Sequence, residues 1–137
     1  MVLPALLLSI TAACDITGGC NNDIVGVAAS PDGARDAVLF QRSCGATTGF
    51  TTQISIVAHG AALSGAGNVF VADGDHGKTA DTPWHGPWAG MRWLAADRLL
   101  VDYDADSRVF RKVERVEGVT IQFRTRRIRG GGAAAGA

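Results

Sequence analysis

The 137 residues, 47% hydrophobic and only 19% charged, suffice for one domain and are too apolar for a disordered chain. Thirteen basic and thirteen acidic side chains cancel, which argues against a dedicated nucleic-acid binder. The balance hides a division, because residues 1–107 carry 5 basic and 11 acidic groups whereas residues 108–137 carry 8 and 2.

Residues 1–13 form an apolar run broken only by Pro4, Ser9 and Thr11, too short for a bilayer that needs about 20 residues. Its length suits the apolar segment of an export signal. Thr11-Ala12-Ala13 directly before Cys14 resembles a bacterial lipoprotein cleavage site. That resemblance implies lipidation of Cys14 as the mature N-terminus, with residues 14–19 as a linker and the domain anchored in the periplasm of a bacterial cell envelope. The alternative is a reduced cytoplasmic domain with an apolar N-terminal strand or helix packed against it.

Setting Cys14 aside leaves Cys20 and Cys44, an even pair that in an exported chain points to a disulfide. Ser30-Pro31-Asp32-Gly33 is a strong turn signal between the apolar segments 24–29 and 36–42, so the region reads as a hairpin. With Pro31-Asp32-Gly33 as the loop, the register sets Cys20 opposite Cys44 at the open end. Two buried reduced thiols are the alternative.

Residues 50–58 place Phe50, Thr52, Ile54, Ile56 and Ala58 on one face and Thr51, Gln53 and Ser55 on the other, the pattern of a half-buried strand. A Gly/Ala-rich loop over 59–67 precedes a short central strand over 68–73, apolar on both faces. Residues 73–90 then form a long connection with no periodicity, a length at which connections are often functional. Residues 91–94 and 99–103 flank Ala95-Ala96-Asp97-Arg98 as a second hairpin; 108–114 and 119–124 flank Glu117-Gly118 as a third. The expectation is a single all-β domain over 20–128, with six or seven antiparallel strands in one twisted sheet or a small sandwich. Residues 129–137, low in complexity with nothing to bury, are expected to form a flexible Gly/Ala tail.

Ser30-Pro31-Asp32-Gly33 with Ala37-Val38-Leu39-Phe40, and Trp93 leading into Asp97-Arg98-Leu99-Leu100-Val101, resemble strands of β-propeller blades. Each occurs once without an internal period, which excludes a whole propeller. The run 43–53, with Asn68-Val69-Phe70-Val71-Ala72-Asp73 and His76-Gly77, resembles a family of small uncharacterised bacterial envelope proteins over residues 20 to 124. The resemblance implies an exported all-β domain and transfers no catalytic residues.

The densest set of potential ligands is Asp73, Asp75 and His76, followed by Asp81 and His85. Asp73, Asp75, His76 and His85 could hold a divalent metal in a metal-binding protein or metal-dependent enzyme, or simply close a glycine-rich turn. No other constellation suggests a cofactor or catalytic residue: there is no Gly-x-Ser-x-Gly elbow and no phosphate-binding Gly-Lys loop, and only two Glu. Trp84 and Trp88, between Pro83 and Pro87, suit a protein or glycan partner or else cover one end of a small core. The arginines over 124–129 fit either a solvated strand end or contact with anionic lipid. The expected role is a non-catalytic envelope module.

Overall fold

A computed structural model describes residues 19–45 and 49–128. The expected export segment 1–13, the expected lipidation at Cys14, most of the expected linker and the expected tail 129–137 fall outside those residues. The described chain forms nine strands: β1 (Asn21–Ala29), β2 (Arg35–Ser43), β3 (Thr51–Ala58), β4 (Phe70–Asp73), β5 (Ala89–Ala95), β6 (Arg98–Asp104), β7 (Arg108–Lys112), β8 (Arg115–Val116) and β9 (Val119–Arg126). They make two sheets, ordered β1-β2-β3-β4-β7 and β5-β6-β9-β8. The chain is all-β, and of the two arrangements open to the sequence it adopts the sandwich. Leu39, Ile54, Ile56 and Phe70 of the first sheet share one buried cluster with Leu99, Val101, Tyr103, Val119 and Ile121 of the second.

The first hairpin reaches the expected cysteine pairing by an unexpected route. Asn21 faces Ser43 and Ile24 faces Phe40, but a bulge at Val25 shifts the rest, so that Gly26 faces Leu39 and Ala29 faces Asp36. The loop is one residue longer than expected, Pro31 to Ala34, closed by the Ser30 amide on the Arg35 carbonyl at 2.8 Å. The Asp32 carboxylate organises it, accepting the Ser30 hydroxyl at 2.6 Å and the Ala34 amide at 3.1 Å. The longer loop and the bulge cancel, and Cys20 bonds to Cys44. Closing this separation of 24 residues contributes about 3 kcal/mol through the unfolded chain.

Strand β3 is buried on both faces rather than one, with Gln53 4% and Ser55 3% exposed. The reason is that the loop before β4 returns over its outer face. Gln53 Oε1 accepts the Gly67 amide at 2.7 Å, Ser55 Oγ accepts the Asn68 amide at 3.1 Å, and Asn22 donates to the Gly65 carbonyl at 2.9 Å. Side chains that read as solvent-facing are the acceptors that hold this loop down.

The third expected hairpin is split between the sheets. Its turn is correct, since Glu117 and Gly118 both take positive φ, 53° and 76°, as a two-residue hairpin turn requires. Only Arg115–Val116 pairs across it, however, whereas Arg108–Lys112 joins β4 in the first sheet. The crossing falls between Val113, whose amide donates to Val69, and Glu114, whose carbonyl accepts from Ile121. Because the chain leaves the second sheet after β6 and re-enters it reversed, β9 lies parallel to β6. That pair departs from the all-antiparallel expectation.

Candidate functional site

Antiparallel register sets Thr51, Asp73 and Arg108 abreast at one end of the first sheet. Phe50, just before β3, reaches the same rim. β2 ends there too, with Arg42 opposite Thr51, so the Cys20–Cys44 bond staples this end. The connection from β4 to β5 arches back over it and encloses a cleft of about 770 Å³, lined by Phe50, Asp73, His76, Trp84, His85 and Arg108 among others. Pockets of this size accept ligands of several rings.

The connection is pinned at both ends. Asp73 Oδ1 accepts the Asp75 amide at 2.9 Å and starts a left-handed turn in which Asp75, His76 and Gly77 have φ of 47°, 58° and 87°. The Lys78 amide closes that turn on the Gly74 carbonyl at 2.9 Å. Asp tolerates this backbone region through short local hydrogen bonds, and Gly has no Cβ to clash. At the far end the Thr82 hydroxyl lies 2.5 Å from the Trp84 carbonyl and 2.8 Å from that of Gly86. The Trp84 indole N–H donates to Thr52 Oγ1 at 2.9 Å, the Thr52 hydroxyl donates to the Pro87 carbonyl at 2.6 Å, and the His85 amide donates to Gln41 at 2.9 Å. Thr52 and Gln41 are themselves buried, so this end of the loop is fastened to the sandwich interior.

Charge and apolar surface divide the cleft. Arg108 grips Asp73 with two nitrogens, at 3.1 and 2.5 Å, and this pairing holds the Asp73 carboxyl below the usual aspartate range while raising the guanidinium above its own. In the same lining the Phe50 ring stacks on His85 with centroids 4.6 Å apart. Phe50 is 38% exposed. Beyond Trp84 and His85 lies a second hollow of about 410 Å³, reaching Ile24 and Val25 of β1, so the pair forms a ridge between two concavities.

Comparison with protein-family models, curated proteins and solved structures finds no match. The cleft itself is what bears on function. Among the described residues no three His, Cys, Asp or Glu side chains gather as a metal-binding group, so Asp73, Asp75, His76 and His85 do not share a centre. Each acidic member has a cationic partner instead: Arg108 on Asp73 and Lys78, at 3.1 Å, on Asp75. Trp84 packs against the core and its N–H is spent on Thr52, the core-covering alternative open to it. Trp88 lies away from the cleft under the Arg126 guanidinium, 5.9 Å from its ring centroid. Trp93 also packs on the core and donates to the Ala28 carbonyl at 2.8 Å, joining the two sheets. His59 pairs with Asp36 at 2.8 Å near the other end of β3, and Cys44 is oxidised. Phe50 and Arg108 carried no mark of function in the sequence. Phe50 continues the inward alternation of β3, and Arg108 is one of several charges in the segment 108–114 that reads as a hairpin strand.

Proposed function

We propose that this chain is a non-catalytic binding domain of the bacterial cell envelope that receives a glycan in the cleft beside β3, β4 and β7. The carrying observation is that the exposed Phe50–His85 stack and the Asp73–Arg108 pair line one cleft. A sugar ring offers an apolar C–H face for an aromatic platform and hydroxyls for charged acceptors and donors; this cleft supplies both. The second hollow across the Trp84–His85 ridge lets a chain of sugars extend beyond a single ring. The Cys20–Cys44 bond supports export, since structural disulfides persist in oxidising compartments. In this reading lipid on Cys14 tethers the domain to the membrane.

The test is calorimetric titration with N-acetylglucosamine oligomers and other soluble envelope glycans. Saturable binding is expected, weakened about tenfold or more in Phe50→Ala and in His85→Ala, because central aromatic contacts dominate such sites. Chelator leaves it unchanged. Saturable binding of extended peptides with none of glycans would replace the ligand by a protein partner.

A further inference from the structure

The second sheet turns one face to the core and the other outward, where Leu100 and Asp104 are themselves buried. Ala89, Met91 and Trp93 of β5, Leu99, Val101 and Tyr103 of β6, and Val119, Ile121 and Phe123 of β9 belong to or pack on the core cluster. Alternation therefore sends Arg92, Arg98, Arg124 and Arg126 to the outer face. The parallel register of β6 and β9 sets Asp102 beside Arg124 and Asp104 beside Arg126, while Gly90 of β5 flanks Asp102.

Trp88 completes this face. A Cβ added to Gly90, which points outward, would lie 3.1 and 3.3 Å from two Trp88 ring carbons, so the indole lies across Gly90 on the solvent side. The Arg126 guanidinium covers the ring. Asp104 occupies the same face but is fully buried, accepting the Asp106 amide at 2.9 Å and the Ala80 amide at 3.4 Å. Asp102 is held by Arg124 at 2.7 and 3.0 Å. Arg92, Arg98 and Arg126 make no ion pair with any described residue. Four guanidinium groups thus stand on this face against two carboxylates, Asp102 engaged by Arg124 and Asp104 buried, with an indole at the end of the rows.

We propose that this outer face docks on an anionic lipid bilayer. Guanidinium forks match phosphate oxygens in pairs, and indole rings favour the headgroup layer, where one side of the ring is wet and the other apolar. Arginines spread over three neighbouring strands engage many headgroups of a plane at once, whereas a pocket would converge them on one. The surface shares no residue with the glycan cleft, so either reading can fail alone.

The test is sedimentation of the full chain carrying Cys14→Ser, which cannot be lipidated, with vesicles of phosphatidylcholine alone and of equal parts phosphatidylcholine and phosphatidylglycerol. Preference for the anionic vesicles is expected, falling about tenfold in Arg92→Gln/Arg126→Gln, since surface cations contribute separately to such binding. Added salt weakens it. Lys78→Gln/Lys112→Gln removes the same charge elsewhere and leaves the preference intact, with circular dichroism confirming that both variants fold. Equal sedimentation with both vesicles, an unchanged preference in the arginine variant, or equal losses in the two variants would overturn the proposal. Binding of soluble polyphosphate without binding of anionic vesicles would also overturn it.

Discussion

Asp73 serves two partners at once, the Arg108 guanidinium and the amide that opens the left-handed turn at Asp75. Both favour its ionised form, with Arg108 the larger cause, so its proton affinity is lower folded than unfolded. Such a group contributes stability fully above the unfolded aspartate range and loses it as pH falls toward the lower folded value. Asp73→Asn should therefore melt below the wild type at neutral pH, with the gap closing in acid; a gap that widened in acid would contradict this ionisation. Gly86 is constrained by space, because a Cβ there would run into the Thr52 hydroxyl and amide. Gly86→Ala should cost about 1–3 kcal/mol in denaturant unfolding through overpacking of a fixed contact. Trp84 and Phe50 separate by role: Trp84→Ala, which removes a core-packed ring, should cost about 3 kcal/mol. Phe50→Ala should stay within about 0.5 kcal/mol, as exposed positions do, while it weakens glycan binding about tenfold or more.

Among the strands, β3 has paired neighbours on both sides and cover on both faces, whereas β1 and β7 are edges. Amide exchange followed by NMR should find the slowest protons in β3 and the fastest strand protons in the edge strands β1, β5, β7 and β8. Reducing the disulfide should cost about 3 kcal/mol and speed exchange in β1 and around Phe50, the parts it staples. How much of this was legible in the sequence follows from the physics of each strand. Local signals succeeded: alternation placed β3, the two-residue turn at Glu117-Gly118 was correct, and the cysteines paired. The last succeeded through compensation, since neither the bulge at Val25 nor the fourth loop residue Ala34 leaves a local mark. Which sheet receives β7 depends on Val109 packing against a core built by distant segments, and no pattern within 108–114 encodes that choice. The cleft was half legible. Its loop stood out by composition, but Phe50 and Arg108 join it only because β3, β4 and β7 end together.

Taken as a whole, the molecule is a two-sheet sandwich whose two candidate surfaces use different parts of one scaffold. Phe70 against Tyr103, with centroids 5.1 Å apart, ties the sheets near the middle of the core. The disulfide and the buried Thr52 and Gln41 anchors fix the cleft to the first sheet, and the arginine face belongs to the second. A rigid sandwich holds these surfaces in one orientation, so a bilayer under the arginine face also fixes where the cleft opens. In this account the ligand meets a preformed site and loses little free energy to ordering of the loop.

The most direct measurement is the titration of wild-type protein and Phe50→Ala with N-acetylglucosamine oligomers, followed by amide shifts in NMR. Saturable shifts in Phe50, His76, Trp84, His85 and Arg108, with affinity about tenfold or more weaker in Phe50→Ala while the fold and melting temperature persist, are the expected result. Shifts confined to other surfaces, or full binding by Phe50→Ala, would contradict the assignment of this cleft as a glycan site.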